Sequence, residues 1–359
     1  MLKERSFQRI FRFFLGIMML SLIFSCTKNK DIDDPIINNL NLGKGFFVLN
    51  QGNFTSGNAS MSFFRKDSSK MLNNLFYQRN GVPLGDVAQS MTFWKNYAFV
   101  VVNNSSTIWA INANNAVIVG KLSSLHSPRY VCVIDAEKTY VSDFQIPGIT
   151  VFQTSTLQLL GTIPTGKTTE RLLLHENKVF AANWSQYNQT TPNNTVQVID
   201  AGLDQLVDSI VVAKEPNSMV IDKNGKLWIL CSGGYLNEEL PALFRINPTS
   251  LEIEKRINFP DISTSPENLC LNNSADTLFF LNNGIYRMPI DDNTIPDSPF
   301  IGSDGKNFYS LAIDPSSSEI VATDAGNYLQ KGYVFRFRPD GTIIDSLATG
   351  IIPGFIGFN

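Results

Sequence analysis

The stretch Ser127–Asp143, SPRYVCVIDAEKTYVSD, reads as a tight entry turn, a strand, a polar hairpin and a second strand. The same phrase returns as EPNSMVIDKNGKLWILC (Glu215–Cys231), SPENLCLNNSADTLFFLNN (Ser265–Asn283) and NFYSLAIDPSSSEIVATD (Asn307–Asp324). Weaker copies are DVAQSMTFWKNYAFVVV (Asp86–Val102) and TTERLLLHENKVFAAN (Thr168–Asn183). The equivalent entry positions are Ala88, Pro128, Thr169, Pro216, Pro266, Phe308 and Pro353. A period of roughly 40–50 residues in units built only of strands marks a β-propeller.

Each unit has a second, outer half. It is seen as TVQVID and LVDSIVV within Thr195–Val212, in Ala242–Phe259 and in Tyr333–Gly350, with turns at Pro248-Thr249 and Pro339-Asp340-Gly341. Further outer pairs are expected in Thr107–Leu122, Ile149–Ile163 and Ile285–Ile301. Six complete units therefore run from about Asp86 onward. The segments Gly45–Asn53 and Ala59–Phe64, and a strand near Met71–Tyr77, lack an entry strand, while Ile352–Asn359 is an entry strand without partners. Joined, they make a seventh blade. The expected fold is all-β: a seven-bladed β-propeller over residues 44–359, its first blade closed by the C-terminal strand. Such closure removes open sheet edges.

The 359 residues are 43% hydrophobic and 17% charged, enough for one large core. Net charge is −3, and no basic run follows the first dozen residues, so nucleic acid is not an expected partner. The four cysteines form no CxxC pair, and the only histidines are His126 and His175, which argues against a zinc site. Cys132, Cys231 and Cys270 lie in or at the end of apolar strands and read as buried thiols; a disulfide between two of them stays open.

At the N-terminus, Lys3, Arg5, Arg9 and Arg12 precede the apolar run Phe13–Phe24 and then Ser25-Cys26. That is the layout of a signal peptide, residues 1–25. The run LIFSC (Leu22–Cys26) resembles a bacterial lipobox, which implies that Cys26 is lipidated and held to a membrane by its acyl chains. Residues 26–43 then read as a flexible tether, polar and acidic over Asn29–Asn41. Its early acidic residues resemble the export signal of Bacteroidota surface lipoproteins. The expectation is a lipid anchor in the outer membrane with the domain facing outward; a solvated tether facing the periplasm is the alternative.

Loops entering the first strand and leaving the second strand of each blade share one face, where binding residues collect on a rigid scaffold. That rim is rich in amides and aromatics, a mixture suited to a neutral, polar, partly planar ligand such as a sugar or a corrinoid. The candidate ligand-binding residues are Asn53, Phe54, Arg129, Arg171, Trp184, Tyr187, Asn217, Asn268 and Tyr328. No GxSxG, HExxH or phosphate-binding glycine loop occurs, so no catalytic residues, metal or cofactor are assigned and the chain is not expected to be an enzyme. The catalytic alternative is a calcium-dependent lactonase-like hydrolase, with Glu170, Asn217, Asn268 and Asp324 as oxygen ligands.

GFFVLNQGNFTSGNASMSFF (Gly45–Phe64) after the lipobox, followed by the YVSD, QVID and PNSMVID phrases, resembles the YncE-like seven-bladed surface lipoproteins of Bacteroidota. The resemblance covers roughly Lys44 to Asn359. That group is similar to BtuG, a surface lipoprotein that captures cobalamin and its precursors for a TonB-dependent outer-membrane transporter. The resemblance implies nutrient capture, with a corrinoid as the small-molecule ligand and such a transporter as partner. A surface scaffold that binds protein or glycan partners stands beside it.

Overall fold

Asp222-Lys223-Asn224-Gly225 forms the turn between the strands Pro216–Ile221 and Leu227–Cys231. Gly225 adopts φ +70°, open to glycine at no steric cost. One Asp222 oxygen accepts the amides of Asn224 and Lys226 at 2.8 and 3.0 Å; the other accepts the indole N–H of Trp228 at 2.8 Å. Both residues are buried, so the turn is fastened to the core through a charged acceptor. Asp222→Ala is expected to cost about 2–3 kcal/mol, because it strands the Trp228 donor and frees the turn. Urea denaturation measures it; a change below about 0.5 kcal/mol contradicts the argument.

The computed structural model describes residues 41–187 and 189–358, and they fold into seven four-stranded antiparallel sheets. Sheets two to seven are contiguous in sequence, and their innermost strands are Ala88–Trp94, Pro128–Val133, Leu172–His175, Pro216–Ile221, Glu267–Leu271 and Phe308–Ile313. The first sheet takes its innermost strand, Pro353–Phe358, from the other end of the chain. That strand pairs antiparallel with Gly45–Asn50, with Phe46 opposite Phe358 and Val48 opposite Ile356. The seven-bladed propeller and its C-terminal closure are as the repeat predicts.

Burial explains the sequence pattern of each blade. The second strand is covered on both faces by neighbouring sheets, so YAFVVV (Tyr97–Val102) and LWILC (Leu227–Cys231) are near-continuous apolar runs. The outermost strands, such as Leu159–Pro164 and Gln205–Val211, are mostly exposed. The seam is built like the other blade contacts: Phe46, Val48, Phe64 and Ile356 pack against Val321 and Val334 of the seventh blade.

Two local expectations need correction. The strand near Met71–Tyr77 is only Lys70–Leu72, and Leu75–Asn80 is a short helix. Asn74 takes φ +55° and ends the strand. The helix buries Leu75 and Phe76, and Phe76 lies 5.4 Å from the Trp109 ring of the second blade. In the sixth blade the outermost strand shrinks to Ile301–Gly302, because Pro296 and Pro299 in the preceding segment cannot donate to a ladder.

Cys132 and Cys231 are buried, Cys270 is partly buried, and all three are free thiols. Burial pushes Cys132 and Cys270 up to about 12 and Cys231 in the same direction. The signal peptide, Cys26 and nearly all of the 26–43 tether lie outside the described residues.

Candidate functional site

Every inner strand is irregular at its start, and the irregularities make the site. Between Ala88 and Ser90, Gln89 is an extra residue against the partner strand; Asn217 and Tyr309 are the same in their blades, and so is Gly354 in the closing strand. In the third and sixth blades two residues, Arg129-Tyr130 and Asn268-Leu269, oppose one. In the fourth, the Glu170 amide donates to the Ala182 carbonyl while the Ala182 amide donates to the Arg171 carbonyl, again two residues against one. A bulge of this kind re-aims a side chain out of the regular alternation. Here Gln89, Arg129, Tyr130, Glu170, Arg171, Asn217, Asn268, Tyr309 and Gly354 all line one cavity of about 700 Å³ at the channel mouth.

The residue just before three of these strands is held at positive φ: Val87 at +58°, Glu215 at +55° and Ile352 at +53°. For β-branched Val87 and Ile352 this is genuine strain. All three line the cavity, and their carbonyls accept the amides of Asn103, Ser232 and Gln51 from the exits of the second strands. The strain is thus held by hydrogen bonds that tie strand entry to strand exit.

Polar contacts run from blade to blade around the floor. The Ser90 hydroxyl donates to the Arg129 carbonyl at 2.6 Å, and Asn217 Nδ2 to the Pro266 carbonyl at 2.8 Å. Asn268 Nδ2 donates to the Tyr309 carbonyl, and the Tyr309 hydroxyl to Gln51 Oε1, both at 3.2 Å. The strongest link is ionic: Arg129 Nε and Nη2 each donate at 2.7 Å to the carboxylate of Glu170, whose relative exposure is 6%. Burial alone would lower the Arg129 guanidinium, but the Glu170 carboxylate holds it above its usual value. The Arg171 guanidinium sits over the Tyr130 ring, its Cζ 4.3 Å from the centroid.

Of the nine candidate residues, the structure brings six to the cavity wall: Phe54, Arg129, Arg171, Trp184, Asn217 and Asn268. The other three turn to neighbours. Tyr187 stacks on Phe144 at 5.3 Å, Asn53 Nδ2 donates to the Tyr328 carbonyl, and Tyr328 packs edge-on against Tyr309. Sequence places these residues on the right loops but does not say which way they point. Sequence places Glu267 on an entry loop; the bulges and the carboxylate Glu215 are the part it misses, so the floor is more charged than an amide and aromatic rim implies. Glu215 immediately precedes an entry proline; that adjacency was the available signal.

Of the four oxygen ligands of a lactonase-like site, Glu170, Asn217 and Asn268 line the cavity and Asp324 does not. Glu170 is engaged by Arg129, and one Asp324 oxygen accepts the amides of Asn307 and Gly326, away from the cavity wall. No group of three or more His, Cys, Asp or Glu side chains gathers to hold a metal among the described residues.

Glu267 makes no hydrogen bond through its carboxyl among the described residues. Desolvation raises it to about 7 from an ordinary 4.5, with Arg171 pulling the other way. The native state therefore holds this proton more tightly than the unfolded chain. The stability it contributes is full below about pH 4.5 and is lost as pH rises through about 7. Glu267→Gln is expected to remove that loss, so the variant gains on the wild type between about pH 5 and pH 8. Urea midpoints at the two pH values check it; parallel pH profiles refute it.

Solved structures with similar folds share little sequence. A quinoprotein alcohol dehydrogenase-like protein from Bacteroides thetaiotaomicron superposes with a TM-score of 0.71 at 15% identity, over 89% of this chain and 79% of that one. A functionally unknown protein from Desulfotomaculum acetoxidans gives 0.63 at 13%, over 88% and 99%. The hydrazine synthase of Kuenenia stuttgartiensis gives 0.57 at 14%, over 72% and 85%. At such identities the likeness is one of fold. No curated protein matches the chain. A family described as "Domain of unknown function (DUF5074)" matches residues 44–346.

Proposed function

For this chain, which belongs to the DUF5074 family, we propose ligand capture without chemistry: a lipid-anchored, outward-facing outer-membrane protein that holds a nutrient for a TonB-dependent transporter. The observation that carries the binding part is the cavity to which all seven blades contribute. Its floor is preorganised by blade-to-blade hydrogen bonds, and its wall offers Tyr130, Trp184 and Tyr309 as flat apolar area. Phe54 and Tyr235 stand at the mouth with 68% and 88% of their surface exposed. Uncovered aromatics beside a concave site are what a ligand larger than the cavity would cover.

The lipobox and acidic tether support the location, and the likeness of the first blade to YncE-like lipoproteins supports a corrinoid as the ligand. Affinity would come from desolvating aromatic and amide surface on several blades at once, with little ordering cost because the scaffold is closed. Isothermal calorimetry with cyanocobalamin and with cobinamide tests the reading. Saturable heat with at least one is expected. No heat and no spectral shift with either removes the corrinoid as ligand.

A further inference from the structure

Two cations line the cavity, Arg129 and Arg171, and they are in opposite states. Arg129 is saturated by Glu170. Arg171 has no hydrogen-bond acceptor or ion-pair partner for its guanidinium among the described residues, although it carries five in-plane donors. The Tyr130 ring holds the group from one side, 4.3 Å from its centroid, and takes up none of its N–H donors in a hydrogen bond. The three carboxylates on the wall divide in the same way. Glu170 is held by Arg129, and Glu215 accepts the Ser232 hydroxyl at 2.8 Å and the Tyr235 amide at 2.9 Å. Glu267 alone is unengaged, within electrostatic reach of Arg171 but forming no ion pair with it.

We propose that the cavity selects ligands bearing an oxyanion, carboxylate or phosphate, seated on the Arg171 guanidinium, and that Glu267 competes with that oxyanion for the same charge. The proposal rests on reading the cavity as a binding site and adds the chemistry it recognises. A planar guanidinium pairs two-pronged with either oxyanion, and the neighbouring Trp184 and Tyr130 rings suit a flat apolar body attached to it.

The surroundings of Glu267 set the sign of the pH effect. Arg171 faces it from the fourth blade and Tyr309 from the seventh, the latter raised by burial to about 12 and so neutral. Lys306 shares with it a smaller hollow of about 250 Å³, but its ammonium donates to the Ser303 carbonyl and sits 3.8 Å from Asp304. Arg129, Glu170 and Glu215 are committed elsewhere. When Glu267 is protonated, Arg171 is left to the ligand. When it ionises, its charge repels an oxyanion. A group titrating near 7 keeps about nine tenths of its proton at pH 6 and about one tenth at pH 8, so oxyanion binding is expected to weaken about tenfold between them.

Ligand-observed NMR on the full chain tests this with benzoate, which is ionised at both pH values, and benzyl alcohol as the neutral control. Benzoate is expected to bind more tightly than the alcohol, about tenfold better at pH 6 than at pH 8. Arg171→Gln is expected to lose the preference for benzoate, Arg171→Lys to retain part of it, and Glu267→Gln to bind equally at both pH values. A cooperative melting transition no lower than that of the wild type establishes that each variant is folded. Equal benzoate binding by wild type and Arg171→Gln overturns the proposal, as does a wild-type affinity that ignores pH. Corrinoids separate this from the capture reading, since cyanocobalamin carries a phosphodiester and cobinamide does not. Corrinoid heat that is the same for both molecules, and the same in Arg171→Gln, keeps capture and overturns the oxyanion. Benzoate binding with the stated dependence but no corrinoid heat supports the oxyanion and removes the corrinoid.

Discussion

Removing residues 352–359 is expected to unfold the whole ring cooperatively. The deleted segment supplies the innermost strand of the first blade, paired along Gly45–Asn50 from Phe46 to Asn50. Phe355, Ile356 and Phe358 pack in the cores on either side of that blade. Burying Ile356 contributes about 1.5–3 kcal/mol, and the partly buried Phe355 and Phe358 add a smaller share each. The ladder adds about 1 kcal/mol per hydrogen bond. The loss therefore matches the net stability of an ordinary domain, about 5–15 kcal/mol. Thermal melts and limited proteolysis of the truncated chain measure it. A single transition near the wild-type temperature, with cleavage confined to the ends, would sink the idea that the seam holds the ring.

Arg129→Ala is expected to be the most damaging single change at the site, at about 3–5 kcal/mol, because it leaves the Glu170 carboxylate buried without its partner. The double variant Arg129→Met, Glu170→Leu should recover much of that loss, since it removes both charges and keeps the volume. Urea denaturation of the three proteins separates the cases. If the single variant costs under about 1 kcal/mol, the pair is a solvent-screened contact and does not clamp the third blade to the fourth.

What could be read from the chain followed from what repeats. Turn residues and entry prolines recur because each blade solves the same closure problem, so blade number and the shared first blade were legible. Elements without a repeat were not. LFYQRN is aromatic enough to suggest a strand, yet it is a helix that buries Leu75 and Phe76, the latter against Trp109. The site was legible to the level of the loop. Arg171 and Trp184 stood out on loops of unusual length or charge and do line the cavity. Tyr187 looked equally good and is instead spent on Phe144. A side chain's direction depends on a bulge or a neighbour that no period encodes; Glu267 is legible as an entry-loop residue, but its lack of a partner is not.

The bulges carry a consequence for how such a surface can change. The lining residues at the strand entries, such as Gln89, Arg171 and Asn217, sit where the ladder has a surplus position, so their identity is largely uncoupled from strand pairing. Slots that hold no blades together, Arg171 among them, can be rewritten one at a time while the architecture stays put, whereas Arg129 and Glu170 must change together and a Cβ at Gly354 would clash with the Gln51 side chain. A single backbone of this kind could thus be retuned to new molecules by point replacement alone, and a combinatorial library confined to those slots is the natural place to look for altered selectivity.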